Sequence, residues 1–169
     1  MKYAAFLRGV MPTNCRMPEL KRAFEAADFE EVRTILGSGN VVFETRKAAI
    51  AALERKADAG MKKVLGRSFA AFIRPVEALG ALLEEDPFEG HELPGDAKRI
   101  VTFLHAPPAD PPRLPIVRDG AHLLVLRGTE LLSAYTPTPK GPVFMKMIEQ
   151  AVGRDQTTRT WETIARVVA

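Results

Sequence analysis

The stretch Thr34-Ile35-Leu36-Gly37-Ser38-Gly39-Asn40-Val41-Val42-Phe43-Glu44 decides how the chain reads. Two apolar, β-branched runs flank four small residues, 37–40. The segment is therefore a strand, a tight turn and a second strand. Elsewhere in the chain no local signal this strong coincides with polar groups able to do chemistry.

Moving upstream, Leu20, Ala23, Phe24 and Ala27 recur at helical spacing, and Pro18 with Glu19 suits the first turn of that helix. Residues 3–7 form a short apolar run, a buried strand closed by Arg8-Gly9. Moving downstream, Thr45 is placed to cap a helix striped by Ile50, Leu53, Ala57, Met61 and Val64, and Gly66 stops it. Residues 69–73 return to strand character, and Pro75 opens a shorter helix through Leu79, Leu82 and Leu83. The order is β-α-β-β-α-β, the ferredoxin-like arrangement, with one added helix. Residues 1–74 are expected to form one antiparallel sheet with two helices on one face.

Residues 86–96 hold Pro87, Gly90, Pro94 and Gly95 and show no period. They read as a linker between a ferredoxin-like subdomain, 1–85, and a second α+β subdomain, 97–169. In the latter, residues 98–105 alternate as a strand, and residues 106–115 carry five prolines that forbid regular pairing. Asp119-Gly120 and Gly128-Thr129 mark two hairpins. Pro142 opens a helix bearing Phe144, Met147, Ile148 and Ala151, ended by Gly153. Trp161, Ile164, Ala165 and Val168 lie on one face of a last helix, with Thr157-Thr158-Arg159-Thr160 at its start. The expected fold is α+β: a ferredoxin-like N-terminal half, then a smaller antiparallel sheet with two C-terminal helices.

The chain has 169 residues, 24 basic and 21 acidic, a net charge of +3. That imbalance is mild and no Lys/Arg run exists, which argues against a dedicated nucleic-acid binder. Cys15 is the single cysteine, so no intrachain disulfide forms and a reducing compartment fits. The first apolar run is too short for a signal-peptide core, and no apolar stretch approaches a membrane span. A cytoplasmic protein is expected. Its oligomeric state is not written in the sequence.

The ferredoxin-like order implies a proximity that the sequence does not display. Strands one and two run parallel with strand three between them. Their C-terminal ends then share one sheet edge with the Ser38-Gly39-Asn40 turn, the Arg8-Gly9 strand end and the start of the Pro18 helix. Asn14 lies in the loop over that edge. A guanidinium, a hydroxyl, carboxamides, turn N–H groups and a positive dipole end all suit an anion. Turn chemistry alone also accounts for Gly and Asn here. At the last helix, capping and burial explain the threonines and Trp161. Arg159 is the leftover, a cation near a helix start, where an anionic partner would make sense of it.

Sharper chemistries lack support. Ser38 does not stand in a Gly-x-Ser-x-Gly elbow, and neither a dinucleotide fingerprint nor a P-loop is present. His91, His105 and His122 are scattered and Cys15 is alone, so no metal-ligand set emerges and no cofactor is expected.

Taken together, Phe6-Leu7-Arg8-Gly9-Val10, Met17-Pro18-Glu19-Leu20, Ser38-Gly39-Asn40-Val41-Val42-Phe43, and Thr158-Arg159-Thr160-Trp161 with Thr163 resemble the family catalogued as domain of unknown function 1697. The likeness runs nearly end to end. It implies an α+β fold with two subdomains and carries no established activity. The loop after Arg8-Gly9 departs from the longer, glycine-rich form common in the family and reads Met11-Pro12-Thr13-Asn14-Cys15-Arg16. The leading functional expectation is binding of a small anionic, phosphate-bearing ligand by Arg8, Asn14, Ser38 and Asn40, with Arg159 approaching from the second half. The alternatives are an enzyme using Ser38 or Cys15 in the same pocket, and an RNA- or protein-interaction module.

Overall fold

The computed structural model describes residues 1–139 and 143–169. It divides into two compact units, Met1–Ala81 with Ala165–Ala169, and Leu82–Ile164. The fold is α+β. The expected helix start at Pro142 lies outside the described residues.

The first unit is built on a four-stranded sheet in the order β2-β3-β1-β4, where β1 is Lys2–Leu7, β2 Glu30–Ile35, β3 Asn40–Glu44 and β4 Ala71–Pro75. Each adjacent pair is antiparallel. This is the ferredoxin-like order, with α1 (Met17–Glu25) and α2 (Ile50–Leu65) as its connecting helices. Strand alternation sorts the side chains. Tyr3, Ala5, Leu7, Val41, Phe43, Ala71 and Ile73 join Leu20, Ala23, Phe24, Leu53, Ala57 and Met61 of the two helices in one core. Phe29 stacks on Phe43 at 4.1 Å, with Tyr3 and Phe24 packed around that pair.

The two helices meet at Gly60, where a Cβ would lie 2.3 Å from the Ala23 carbonyl oxygen. Only the missing side chain lets them approach so closely. Gly66 ends α2 in the left-handed conformation, as its position implies. Thr45 does not cap that helix: α2 begins at Ile50 with Ala49 at the N-cap. The reason is pairing beyond the strand ends. The Thr45 N–H donates to the Met1 carbonyl at 3.0 Å, and the Met1 ammonium donates to the Thr45 carbonyl at 2.8 Å. Thr45 thus extends the β1–β3 ladder.

Helix α3 (Val76–Glu85) follows β4 directly. The second unit carries a five-stranded antiparallel sheet in the order β6-β7-β8-β5-β9. Its strands are β5 Lys98–Leu104, β6 Ile116–Arg118, β7 Ala121–Arg127, β8 Glu130–Tyr135 and β9 Gln156–Thr160. Asp119 and Gly120 have φ of 49° and 80°, the paired left-handed residues of a two-residue hairpin. Helix α4 (Val143–Val152) lays Phe144, Met147 and Ile148 over Ile100, Ala121, Leu123 and Leu131.

Two expectations for the C-terminus need correction. Residues 156–160 are an edge strand paired with β5, not only the lead-in to the last helix, α5 (Trp161–Val168). Three threonines in five residues have strand propensity, and the Ile100 to Leu104 ladder offers a free edge for them. The buried face of α5 is Thr163, Ile164 and Val167, while Trp161 is half-buried and Ala165 exposed. Thr160 still caps the helix: the Thr163 N–H donates to its Oγ1 at 3.2 Å.

Candidate functional site

Glycine sets the geometry at the end of the first sheet. Gly9, at φ +83°, turns the chain out of β1. Asn14 then closes the loop. Its Nδ2 donates to the Gly9 carbonyl at 2.9 Å, and its Oδ1 accepts from the Met11 N–H at 2.8 Å. Val10 and Cys15 anchor the same loop by entering the core.

The β2–β3 loop meets it from the other side. Ile35 pairs with Asn40, so the loop is 36–39 and Asn40 opens β3. Leu36 at φ +61° and Gly39 at φ +86° make the reversal. Asn40 is fully buried, and its Nδ2 donates to the Ile35 carbonyl at 2.8 Å and to Ser38 Oγ at 2.9 Å. The carboxamide thereby braces the loop across its base. The Leu7 N–H donates to the Gly39 carbonyl at 2.9 Å, which ties the β1 end to this loop. A Cβ on Gly39 would lie 2.9 Å from Val10 Cβ, so the two loops pack against each other with no spare room.

Arg8 stands one residue beyond the Leu7–Gly39 bond. Its N–H donates to the Ala70 carbonyl at 2.9 Å and its side chain is exposed. Ser38 is also exposed and Asn14 half-buried. The backbone therefore brings the segments of Arg8, Asn14, Ser38 and Asn40 to one end of one sheet. Arg159 belongs to the other unit. It lies buried on β9, where its Nη1 donates to Thr157 Oγ1 at 2.9 Å and to the Thr158 carbonyl at 2.7 Å. Burial draws its pKa down to about 10, which leaves it charged at neutral pH.

Arg67 is a further neighbour that no local motif in the sequence marks. Its guanidinium lies 4.5 Å from the Phe69 ring centroid, and its charge is felt by Cys15. The signal for it was the antiparallel pairing of β1 with β4, which carries the lead-in to β4 to the end where Arg8 sits. Arg16, at the N-cap of α1, is exposed and makes no capping bond with its side chain. Cys15 is buried, and that burial, with the Glu19 charge, pushes its thiol above the usual range against the opposing pull of Arg67. A thiol in that state is a poor nucleophile near neutral pH. The amide donated to Ser38 Oγ by Asn40 supplies no base.

Among the described residues, no three His, Cys, Asp or Glu side chains are placed to hold a metal ion. His105 Nδ1 and Asp155 Oδ2 form an exposed pair at 3.1 Å. No helix among the described residues is long and apolar enough to cross a membrane.

The chain belongs to the family described as protein of unknown function (DUF1697), whose model matches residues 1–121. The match includes the Arg8 and Ser38–Asn40 segments and ends before Arg159. In fold the chain is similar to the conserved bacterial protein SP0830 from Streptococcus pneumoniae. The TM-score is 0.68 at 16% identity, over 99% of this chain and 96% of that one. No curated protein matches significantly.

Proposed function

We propose that the protein binds a small phosphate-bearing anion at the end of the four-stranded sheet. One observation carries the reading: the 2.9 Å bond from the Leu7 N–H to the Gly39 carbonyl, which sets exposed Arg8 beside the loop that presents exposed Ser38. Arg8 supplies a guanidinium fork suited to phosphate oxygens, and Ser38 a hydroxyl donor. Asn14 and Asn40 act one step back and hold the two loops in shape. Arg16 and Arg67 add positive charge around the same end, with Glu19 the nearby counter-charge. The buried, raised thiol of Cys15 weighs against the enzymatic alternative.

The test is thermal unfolding in pyrophosphate against chloride at equal ionic strength. Pyrophosphate should raise the melting temperature, because a ligand bound only by the native state stabilises it by mass action. Arg8→Ala should remove that rise and cost the ligand-free protein less than about 1 kcal/mol, as expected of an exposed charge. A rise that survives Arg8→Ala would place the anion elsewhere. A large loss of stability without ligand would make Arg8 a structural clamp.

A further inference from the structure

The Thr-Arg-Thr-Trp segment has no part in the proposed anion site, yet it borders a cleft of its own. That cleft, about 550 Å³, lies within the second unit between the start of β5 and the start of α5. Trp161, Arg99, Lys98, Asp96 and Glu162 line it. Its volume falls in the range of sites for small organic ligands.

Three features make it more than a surface dent. Trp161 is half-buried, and its ring and that of buried Phe88 meet in a T-shaped contact, centroids 5.0 Å apart at 76°. The indole is therefore held in place while part of it still borders the cleft. Arg99 is held as well: its guanidinium lies 5.5 Å from the Phe88 centroid and Nη1 lies 3.8 Å from Asp86 Oδ2. The same Asp86 accepts from the Phe88 N–H at 3.2 Å, so carboxylate and ring together position Arg99, the member of the three that lines the cleft. Asp96 and Glu162 add two carboxylates to the lining beside Lys98 and Arg99.

We infer that this cleft binds a mononucleotide, with the base stacked on Trp161 and the phosphate met by Arg99. An indole face stacks on any nucleobase, and a guanidinium fork matches phosphate oxygens. The carboxylates accept hydrogen bonds from base amino groups or sugar hydroxyls. The carboxylates beside the two cations and the single aromatic platform favour one nucleotide over a polyanionic strand, which calls for a continuous basic track. This inference is independent of the anion site on the first unit.

Trp161 is the chain's one tryptophan, so its fluorescence reports this cleft alone. Adenosine monophosphate should quench it saturably. Adenosine should quench with roughly tenfold lower affinity, the worth of one charge-assisted hydrogen bond, and ribose phosphate should leave the emission unchanged. Arg99→Gln should weaken adenosine monophosphate about tenfold and leave adenosine unaffected, because only the phosphate contact is lost. By calorimetry, Trp161→Tyr should retain binding and Trp161→Leu lose it, with circular dichroism verifying that both fold. Absence of quenching by adenosine monophosphate overturns the inference whatever the variants do. So does an oligoadenylate that binds far tighter than the mononucleotide, which would assign the cleft to a nucleic-acid strand. Equal weakening of both ligands by Arg99→Gln overturns the phosphate assignment.

Discussion

Gly39→Ala breaks the geometry of the sheet end at one point, and its cost can be worked from the structure. Gly39 has φ +86°, and an L residue held in the left-handed region costs about 1–2 kcal/mol. The added Cβ would lie 2.9 Å from Val10 Cβ, 3.0 Å from Val10 Cγ2 and 3.2 Å from Leu7 Cβ. Val10 and Leu7 are 7% and 1% exposed, so neither has open space to move into. Forcing a methyl into such packing costs a further ~1–3 kcal/mol. The expected loss is about 2–5 kcal/mol, a large part of a typical domain's stability. Gly37 in the same loop is the control: its φ is not in the left-handed region and nothing lies within 4 Å of its Cβ position. Gly37→Ala should be neutral, or stabilising by up to ~1 kcal/mol through the unfolded chain. Urea unfolding should be followed by far-UV circular dichroism, because the single tryptophan lies in the other unit. The Gly39→Ala midpoint should fall with the slope unchanged. Equal midpoints for the two variants would refute the reasoning, since they differ only in φ and in the space behind Cβ.

Gly60→Ala in α2 should destabilise although alanine is the better helix former: a gain of about 1 kcal/mol in propensity meets a Cβ 2.3 Å from the Ala23 carbonyl oxygen, and backbone cannot yield as a side chain does. Gly80→Ala in α3, whose nearest neighbour is 3.6 Å away, should instead gain about 0.5–1 kcal/mol in the same urea assay. Trp161→Ala should cost less than the ~3–5 kcal/mol of a fully buried aromatic, because the indole is half-buried, and thermal unfolding read by circular dichroism checks it. Burial raises the folded Cys15 pKa above its unfolded value, so its contribution to stability is complete below the ordinary thiol range and is lost as pH rises through the folded pKa. Alkaline titration of stability should therefore fall less steeply in Cys15→Ala than in the parent, and parallel curves would show that the thiol does not contribute.

Where local chemistry and tertiary demand agreed, the sequence was legible. The β2–β3 hairpin, its turn at 36–39 rather than the expected 37–40 because Asn40 pairs with Ile35, the α1 stripe of Leu20, Ala23 and Phe24, and the Gly66 stop all rest on rules that act within a few residues. The order β2-β3-β1-β4 followed from the succession of elements. Misreadings occurred where a distant segment outbid a local preference. Thr45 has a hydroxyl fit for capping, but the Met1 backbone takes its N–H into the sheet. Residues 156–160 look like the preface to a helix in the sequence alone, because a strand of threonines and an arginine at a sheet edge has no apolar alternation to mark it. The partner that makes it a strand, β5, lies more than fifty residues upstream.

The same distinction separates structure from function at the sheet end. Gly39 and Asn40 announce themselves in the sequence, yet both are consumed in holding the loop: one gives room to Val10, the other bonds Ile35 and Ser38 from a fully buried position. Changing either would disturb fold and any bound ligand together, and a loss of binding would then say little about contact. Arg8 and Ser38 differ in being exposed on that rigid base. A surface charge contributes little to stability, so an effect at Arg8 that appears only in the presence of an anion reports the anion. Ser38 also accepts from buried Asn40, so its change is read against the stability of the ligand-free loop. The order of substitution follows from burial: exposed positions first, to find the ligand, and the buried glycine and asparagine afterwards, to learn how the fold holds them out to it.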